Sequence, residues 1–457
     1  MKPKVLLLLP AFFVLPACTM MHSDYVQPRM PQASYDFDEN EQKLLGQESF
    51  GYNFWEIFAD PKLNAVVEQA LKDNLDFKKA ALNVEKARIA ADLSADDFLP
   101  TPQASFGSDA KRALSYHDST HKSSDASFAL SYQADLFGKI DAQNRAAANE
   151  FQASVFDKEA MRLSVIENTA KAYWKYAYCK QALKIAEDER KDSQQRLAIV
   201  LSRFNAGAAD ATDADTARIS DLKSEHDLDE AVSALKQART ALNTLLGQGA
   251  DKEVDVNLPK DAAVPAFSLD IPSKLLARRP DLKAYEQRAR EALANADASF
   301  SSFFPQFTLT AGLSSGSLSS FAAFFSNPLA ALGAAVTLPF VNFHRLSIER
   351  ESALNAYETA QVDFVAAYIK AVQEVYDAVT LITVASKSLD NSRAQLKLAT
   401  TNYDRYLARY RQGLSPLSDL LDAADNRRSA ELGEAEAVRA LLSTEATLMA
   451  ALGGGVN

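Results

Sequence analysis

The sequence is poor in the residues that build disulfide frameworks, metal sites and catalytic centres. Its 457 residues include two cysteines, Cys18 and Cys179, and five histidines, so disulfides do not hold the fold. His117 and His121 are four residues apart and invite a metal interpretation, but they lie in a polar stretch without fixed geometry. We find no nucleophile motif, phosphate loop or metal-ligand spacing, so nothing supports catalysis, a cofactor or a metal.

Long apolar runs and net positive charge are also absent. After residue 18 there is no run of 18 apolar residues, which excludes a transmembrane helix and leaves only strands to cross a bilayer. The formal net charge of -11 argues against nucleic acid as the main partner.

Residues 1–17 are predicted to be an export signal. Lys2 and Lys4 give positive charge, an apolar stretch follows, and Leu15-Pro16-Ala17-Cys18 ends it. This ending resembles the lipobox of bacterial lipoproteins, which implies lipidation of Cys18 and a mature chain that starts there. An ordinary cleaved signal with an incidental cysteine is the alternative. Residues 18–60 then form an extended N-terminal segment.

Two stretches alternate between apolar and polar residues as membrane strands do. In residues 303–314, one face carries Pro305, Phe307, Leu309, Ala311 and Leu313, and the other carries Gln306, Thr308, Thr310, Gly312 and Ser314. Residues 125–136 repeat this pattern. We interpret both as barrel strands that face lipid on one side and a polar lumen on the other.

Proline and glycine are scarce in the middle of the chain. Between Gly138 and Gly247 there is no proline and one glycine, Gly207. The composition predicts long helices at 139–205 and 211–246, the first about 100 Å long at 1.5 Å per residue.

The chain is internally duplicated. Asp76 matches Asp281 at an offset of 205, and Gly207 matches Gly413 at an offset of 206. The repeats are 61–247 and 273–453, separated by a linker at 248–272 and followed by a tail at 454–457. The predicted helices are 62–97, 139–205, 211–246, 273–300, 344–411 and 416–452, and the predicted strands are 102–116, 124–137, 303–316 and 328–340, with 117–123 as a loop.

The helix at 344–411 carries a seven-residue repeat of large residues, with small residues three places behind. This pattern predicts a supercoil against neighbouring helices. The large residues are Tyr368, Val375, Ile382, Leu389, Leu396, Tyr403 and Tyr410, and the small ones are Ala371, Ala378, Ala385, Ser392 and Ala399.

Four strands are too few to close a barrel, and an open sheet edge in lipid leaves backbone groups unpaired at several kcal/mol each. Several copies must therefore share one barrel. Two copies would give eight strands and a filled interior, and three would give twelve and a wider bore. The small polar residues favour three.

Together these features resemble the outer-membrane factors of TolC type, specifically their NodT-like lipoprotein branch. The resemblance implies a mainly helical fold with transmembrane β: a homotrimer with a twelve-stranded barrel and a coiled-coil helical tunnel in the periplasm. The motifs that carry it are Phe54-Trp55-Glu56-Ile57-Phe58-Ala59-Asp60-Pro61, Arg278-Arg279-Pro280-Asp281-Leu282, Phe304-Pro305-Gln306-Phe307, Asp135-Leu136-Phe137-Gly138 and the glycines Gly207 and Gly413.

The resemblance also implies a periplasmic gate at the helical tips. Asp419 and Asp422 match two aspartates that line the closed entrance, and Tyr410 matches a tyrosine that links to the positions of Thr212 and Asp213. Gly207 and Gly413 mark the tips that contact an adaptor. Ser415 stands where the family often has an arginine. Alternatively, the two aspartates only stabilise a helix start.

The expected function is a passive exit channel for small molecules in a tripartite efflux system. The implied partners are two further copies, a periplasmic adaptor, an inner-membrane pump of RND type and outer-membrane lipid, with no nucleic acid. The alternative from another class is a non-channel coiled-coil scaffold lipoprotein in the periplasm.

Overall fold

The structure is a computed structural model that describes residues 22–31, 53–112, 121–259, 262, 278–318 and 329–454. The predicted signal at 1–17, Cys18, His117 and parts of the 18–60 segment, the 248–272 linker and the 454–457 tail lie outside these ranges. The helices are α1 Pro61–Asp73, α2 Leu75–Asp96, α3 Lys139–Asn205, α4 Ala211–Leu245, α5 Pro280–Ser301, α6 Phe343–Arg411 and α7 Leu417–Ala451. The strands are β1 Thr101–Lys111, β2 His121–Ala134, β3 Gln306–Leu318 and β4 Leu329–Thr337.

The chain divides into two compact units. Of the described residues, one unit comprises 22–29, 84–112, 121–154, 284–318 and 329–364, and the other comprises 30–31, 53–83, 155–259, 262, 278–283 and 365–454. Among the described residues, no helix combines enough length with enough apolar character to cross a bilayer.

The first unit contains one antiparallel sheet in the order β1-β2-β3-β4. Its register aligns the apolar residues of neighbouring strands, so that Ala104 lies opposite Phe128 and Phe128 opposite Leu313. The other face carries small polar residues, such as Ser105 and Ser127, whose hydroxyl oxygens are 2.7 Å apart. The alternation predicted for residues 125–136 and 303–314 is confirmed within β2 and β3, whereas β4 is almost entirely apolar on both faces.

Two strand ends differ from the prediction because the turns of the neighbouring helices extend closer to the sheet. β2 ends at Ala134, not 137, since the Asp135 carboxylate accepts a hydrogen bond from the Asp141 backbone N–H at 2.8 Å and starts α3. β3 begins at Gln306 because Phe303 and Phe304 still bond back to the last turn of α5. The predicted loop at 117–123 was wrong for 121–123, which belong to β2.

The predicted helix 62–97 is broken at Asn74 into α1 and α2. Asn74 has ψ 130, and its side chain serves two partners. Its amide donates to the Leu245 carbonyl at 2.9 Å, and its oxygen accepts from the Phe77 N–H at 2.9 Å. A long-range contact therefore replaces the continuous helix. The start of α1 is as predicted, since Asp60 accepts hydrogen bonds from the N–H groups of Lys62 and Leu63.

The second unit has a hydrophobic core to which α6 contributes several side chains. Tyr368, Val375, Ile382 and Leu389, the first four large residues of the predicted seven-residue repeat, are all buried. Leu396, Tyr403 and Tyr410, which continue the repeat, are half-buried. The core also buries Trp174, whose ring packs edge-on against Phe58 at 4.8 Å between centroids.

Candidate functional site at the helical tips

The two helical hairpins end in the same turn. At the end of α3, Gly207 has φ 73, and the N–H groups of Gly207 and Ala208 donate to the carbonyls of Phe204 and Arg203 at 2.9 and 2.8 Å. At the end of α6, Gly413 has φ 69 and the same pair of bonds forms. These bonds satisfy the last carbonyls of each helix, and the left-handed conformation explains the glycine.

The helices that leave the two tips start differently. At the start of α4, the Asp210 carboxylate accepts a hydrogen bond from the Asp213 backbone N–H at 2.8 Å. At the start of α7, Pro416 occupies the cap position and offers no side-chain hydrogen bond. There the buried Ser415 donates its hydroxyl to the Asp419 carboxylate at 2.8 Å instead.

The predicted gate residues all lie within ten residues of a tip glycine, in the second unit. Asp419 and Asp422 share one face of α7, with Asp419 half-buried and Asp422 exposed. Thr212 is exposed and Asp213 is half-buried in the first turn of α4. The bond from Ser415 gives Asp419 a role in the helix start, which the sequence offered as the alternative. That role and a role in lining an entrance are compatible.

Tyr410 joins the hairpins by packing. It lies against a small core of Val200, Ala217 and Leu417, which come from α3, α4 and α7. The Arg203 guanidinium sits over the Tyr410 ring at 5.3 Å from its centroid, a cation–π contact. Within the described part of the chain, Tyr410 makes no hydrogen bond to Thr212 or Asp213, so the link implied by the family stays a prediction.

Sequence reasoning missed two ion pairs that tie α4 to α7 farther along the helices. Lys223 Nζ lies 2.8 Å from the Asp425 carboxylate, and Arg428 binds Asp227. Burial alone would lower the pKa of Arg428, but its hydrogen bond to Asp227 and that carboxylate's charge outweigh this and raise the pKa. A signal did exist, since each helix presents opposite charges one turn apart at these positions.

Aromatic contacts add to this bracing. The Arg427 guanidinium lies 4.2 Å from the centroid of the Tyr403 ring and near Asp192. Among the residues that the structure describes, no group of three histidine, cysteine or acidic side chains is arranged to hold a metal ion.

Comparison with known proteins decides the family. The model of the family described as "Outer membrane efflux protein" matches residues 66–248 and 271–454. The chain belongs to the outer membrane efflux protein family. The sequence-based assignment to outer-membrane factors is therefore confirmed.

Relatives agree over nearly their whole lengths. The chain is 26% identical to toxin and drug export protein A of Aggregatibacter actinomycetemcomitans, covering 90% of this chain and 91% of that one. It is 25% identical to the probable outer membrane lipoprotein SilC of Salmonella typhimurium, covering 98% of both. The open-state structure of the Neisseria gonorrhoeae MtrE outer membrane channel superposes with a TM-score of 0.79 at 26% identity, over 95% and 98% of the chains.

This efflux family member has the TolC-like fold, in which long helices are combined with a four-stranded sheet, and it acts as an efflux channel in the outer membrane. The result favours the channel over the scaffold that the sequence left open. The family consists of channels and not of enzymes.

Proposed function

We propose that three copies of this chain form the passive exit duct of a tripartite export system. The observation that carries the proposal is the four-stranded sheet, whose outer strands β1 and β4 each pair on one side only within the described residues. Its apolar face is uncovered, with Phe106, Phe128, Leu309 and Leu332 exposed. In lipid, that face is solvated but the two edges are not, so neighbouring copies must supply their partners.

Exposed apolar residues on two helices support the same assembly. On α2, Leu75, Leu82 and Leu93 are 69%, 69% and 68% exposed. On α6, Val362, Ile369 and Tyr376 recur every seven residues and are also exposed. Such regular apolar stripes are what coiled-coil contacts with another copy require.

The proposed gate is the ring that Asp419 and Asp422 form around the threefold axis. Three copies bring six carboxylates to one entrance, which attracts cations and repels anions. Tyr410, Thr212 and Asp213 would hold the closed arrangement. Gly207 and Gly413 shape the turns that a periplasmic adaptor binds, and the adaptor couples the duct to an inner-membrane pump, which we propose is of RND type.

Single-channel recording in planar bilayers tests the gate. Replacing both aspartates, Asp419→Ala with Asp422→Ala, should lower cation conductance and reduce cation selectivity, because the negative ring that concentrates cations is removed. Asp404→Ala is the matched control, since Asp404 is an exposed carboxylate of α6 near the tip. Unchanged conductance and selectivity in the double variant would rule out a role in the entrance.

The proposed lipid anchor is Cys18. Metabolic labelling with radioactive palmitate should label the wild-type protein and fail to label Cys18→Ala. An unlabelled wild-type protein would favour the ordinary cleaved signal and leave the channel proposal intact.

A further inference from the structure

The N-terminal segment 22–31 has no regular secondary structure, yet it is attached to the first unit by a buried carboxylate. Asp297, on α5, is only 4% exposed. It accepts a hydrogen bond from the Ser23 backbone N–H at 3.1 Å, and Arg145 Nη2 of α3 lies 3.2 Å from the same oxygen. Arg145 is itself fixed by Asp141, one turn before it on α3.

A second contact lies two residues farther along. The Arg290 guanidinium of α5 sits over the Tyr25 ring at 4.9 Å from its centroid. Glu286 orients that guanidinium from one turn away, at 2.7 Å. An irregular segment has no ladder of backbone hydrogen bonds to position it, so contacts of this kind decide where it runs.

The attachment lies close to the aromatic base of the sheet. Asp297 is three residues before Phe300, and Phe300, Phe304 and Phe137 pack together, with the last two rings stacked at 5.0 Å between centroids. Phe343 follows β4 and is 63% exposed. Aromatic side chains gather at the membrane–water boundary of barrels, which puts Asp297 about one helical turn from that boundary.

Chain length then limits where a lipid on Cys18 can enter the membrane. Five residue steps separate Cys18 from Ser23, and at about 3.5 Å per step they span at most about 18 Å in any conformation. The lipid must therefore insert beside the base of the sheet that its own chain contributes to the barrel.

We propose that Asp297, held by Arg145, is the receptor for the lipidated N-terminal segment and fixes the lipid at the periplasmic rim of the barrel. This inference rests on the lipid anchor proposed for Cys18. Asp297 is a positioning residue: it ties insertion of the acyl chains to insertion of the strands, so that both reach the membrane at the same place. Without this contact, the lipid would still anchor the chain, but its position relative to the base of the barrel would not be fixed.

Trypsin cleavage after the exposed Arg29, followed in the detergent-extracted protein by mass spectrometry of the new Met30 terminus, tests the contact. Ser23→Pro removes the N–H donor and leaves Asp297 with Arg145, whereas Ser23→Ala keeps the donor. We expect Ser23→Pro and Asp297→Asn to be cleaved about tenfold faster, as loss of a hydrogen bond to a carboxylate implies, and Ser23→Ala to match the wild type. If Ser23→Pro is cleaved at the same rate as the wild type, the proposal is wrong. Ser23→Pro alone is a sufficient test in the event that Asp297→Asn does not fold.

A second measurement separates anchoring from folding. The fraction of heat-modifiable oligomer on unboiled gels is compared in the lipidated protein and in Cys18→Ala exported by a non-lipoprotein signal. Ser23→Pro should lower that fraction at least twofold in the lipidated protein and have no further effect in the unlipidated one. An equal loss in both overturns the positioning role, and absence of palmitate from the wild type refutes the anchor while the cleavage result still reports on the contact.

Discussion

The two repeats make the same backbone contact with different side chains. In the first, the Asn74 amide donates to the Leu245 carbonyl at 2.9 Å. In the second, Arg279 occupies the matching position and donates to the Ala451 carbonyl at 3.1 Å. In both, a glycine of positive φ, Gly247 or Gly453, lies against the backbone just before that residue. Duplication has preserved where the helix ends meet, while the side chains have diverged.

The matching helices α2 and α5 differ more in their burial. No residue of α2 is buried, whereas α5 buries Leu282, Ala289 and Ala294. The leucines of α2 remain exposed. One repeat therefore covers its helix within the chain and the other leaves its helix exposed, which gives the proposed trimer a surface for self-assembly.

The largest contrast is expected where the repeats use Arg279 and Asn74. Arg279 also binds Asp281 at 2.7 Å and Glu374 at 2.7 Å. Arg279→Met therefore removes the partner of the Asp281 carboxylate and of the Ala451 carbonyl, and it leaves Glu374 with Lys370 alone, at 3.8 Å. We expect a loss of about 3 kcal/mol, against about 1 kcal/mol for Asn74→Ala, which removes a cap and a neutral hydrogen bond. Chemical unfolding in detergent measures both. Equal losses would mean that the charge adds nothing to the shared contact.

Glu445 gives the next contrast. It is buried in α7, and burial raises its pKa to about 8. Since the folded pKa lies above the unfolded value, its contribution is present below pH 4.5 and is lost as the pH rises towards 8. Glu445→Gln should therefore gain about 2.5 kcal/mol relative to the wild type between pH 5 and pH 7.

Arg239 occupies the matching position of the first repeat and serves as the control. It pairs with the exposed Glu253, so Arg239→Gln should show no such gain over this pH range. Thermal unfolding of the variants and the wild type at the two ends of this pH range tests the prediction. If the stabilities of the wild type and Glu445→Gln change equally with pH, the argument is wrong.

Leu82 tests the exposed helix of the first repeat. Leu82→Gln should leave each copy folded but weaken the oligomer, because burying a leucine contributes roughly 2 kcal/mol per copy. Lys86→Gln, on the same exposed helix, is the control for loss of a side chain without loss of apolar area. Sedimentation in detergent reports the oligomer, and an unaffected oligomer in Leu82→Gln would show that α2 faces solvent.

The smallest effects are expected at the tips, where the helix starts differ. Asp210→Ala removes the cap of α4 and should cost about 1 kcal/mol. Ser415→Ala removes only the hydroxyl that binds Asp419, and should cost less, since Asp419 still favours the helix start. Amide hydrogen exchange in the first turns of α4 and α7 measures each locally. If Ser415→Ala increases exchange in α7 more than Asp210→Ala increases exchange in α4, the expected order of the two costs is wrong.

Local patterns predicted what local forces decide. The predicted helix 139–205 matches α3, and the strand faces follow from alternation because lipid and lumen divide the residues. The break at Asn74 could not be predicted from its neighbours, since its cause is a carbonyl 171 residues away. Two other pairs, Ser23 with Asp297 and Asp227 with Arg428, could not be predicted either. In each pair the two residues are far apart in the sequence, and only the folded chain brings them together.

The number of copies in the detergent-extracted protein tests the central claim most directly. Native mass spectrometry should find three copies, because three sets of four strands close a barrel with a bore and cover the exposed apolar stripes. A stable monomer or dimer would contradict the account, since the edges of β1 and β4 would then need another explanation.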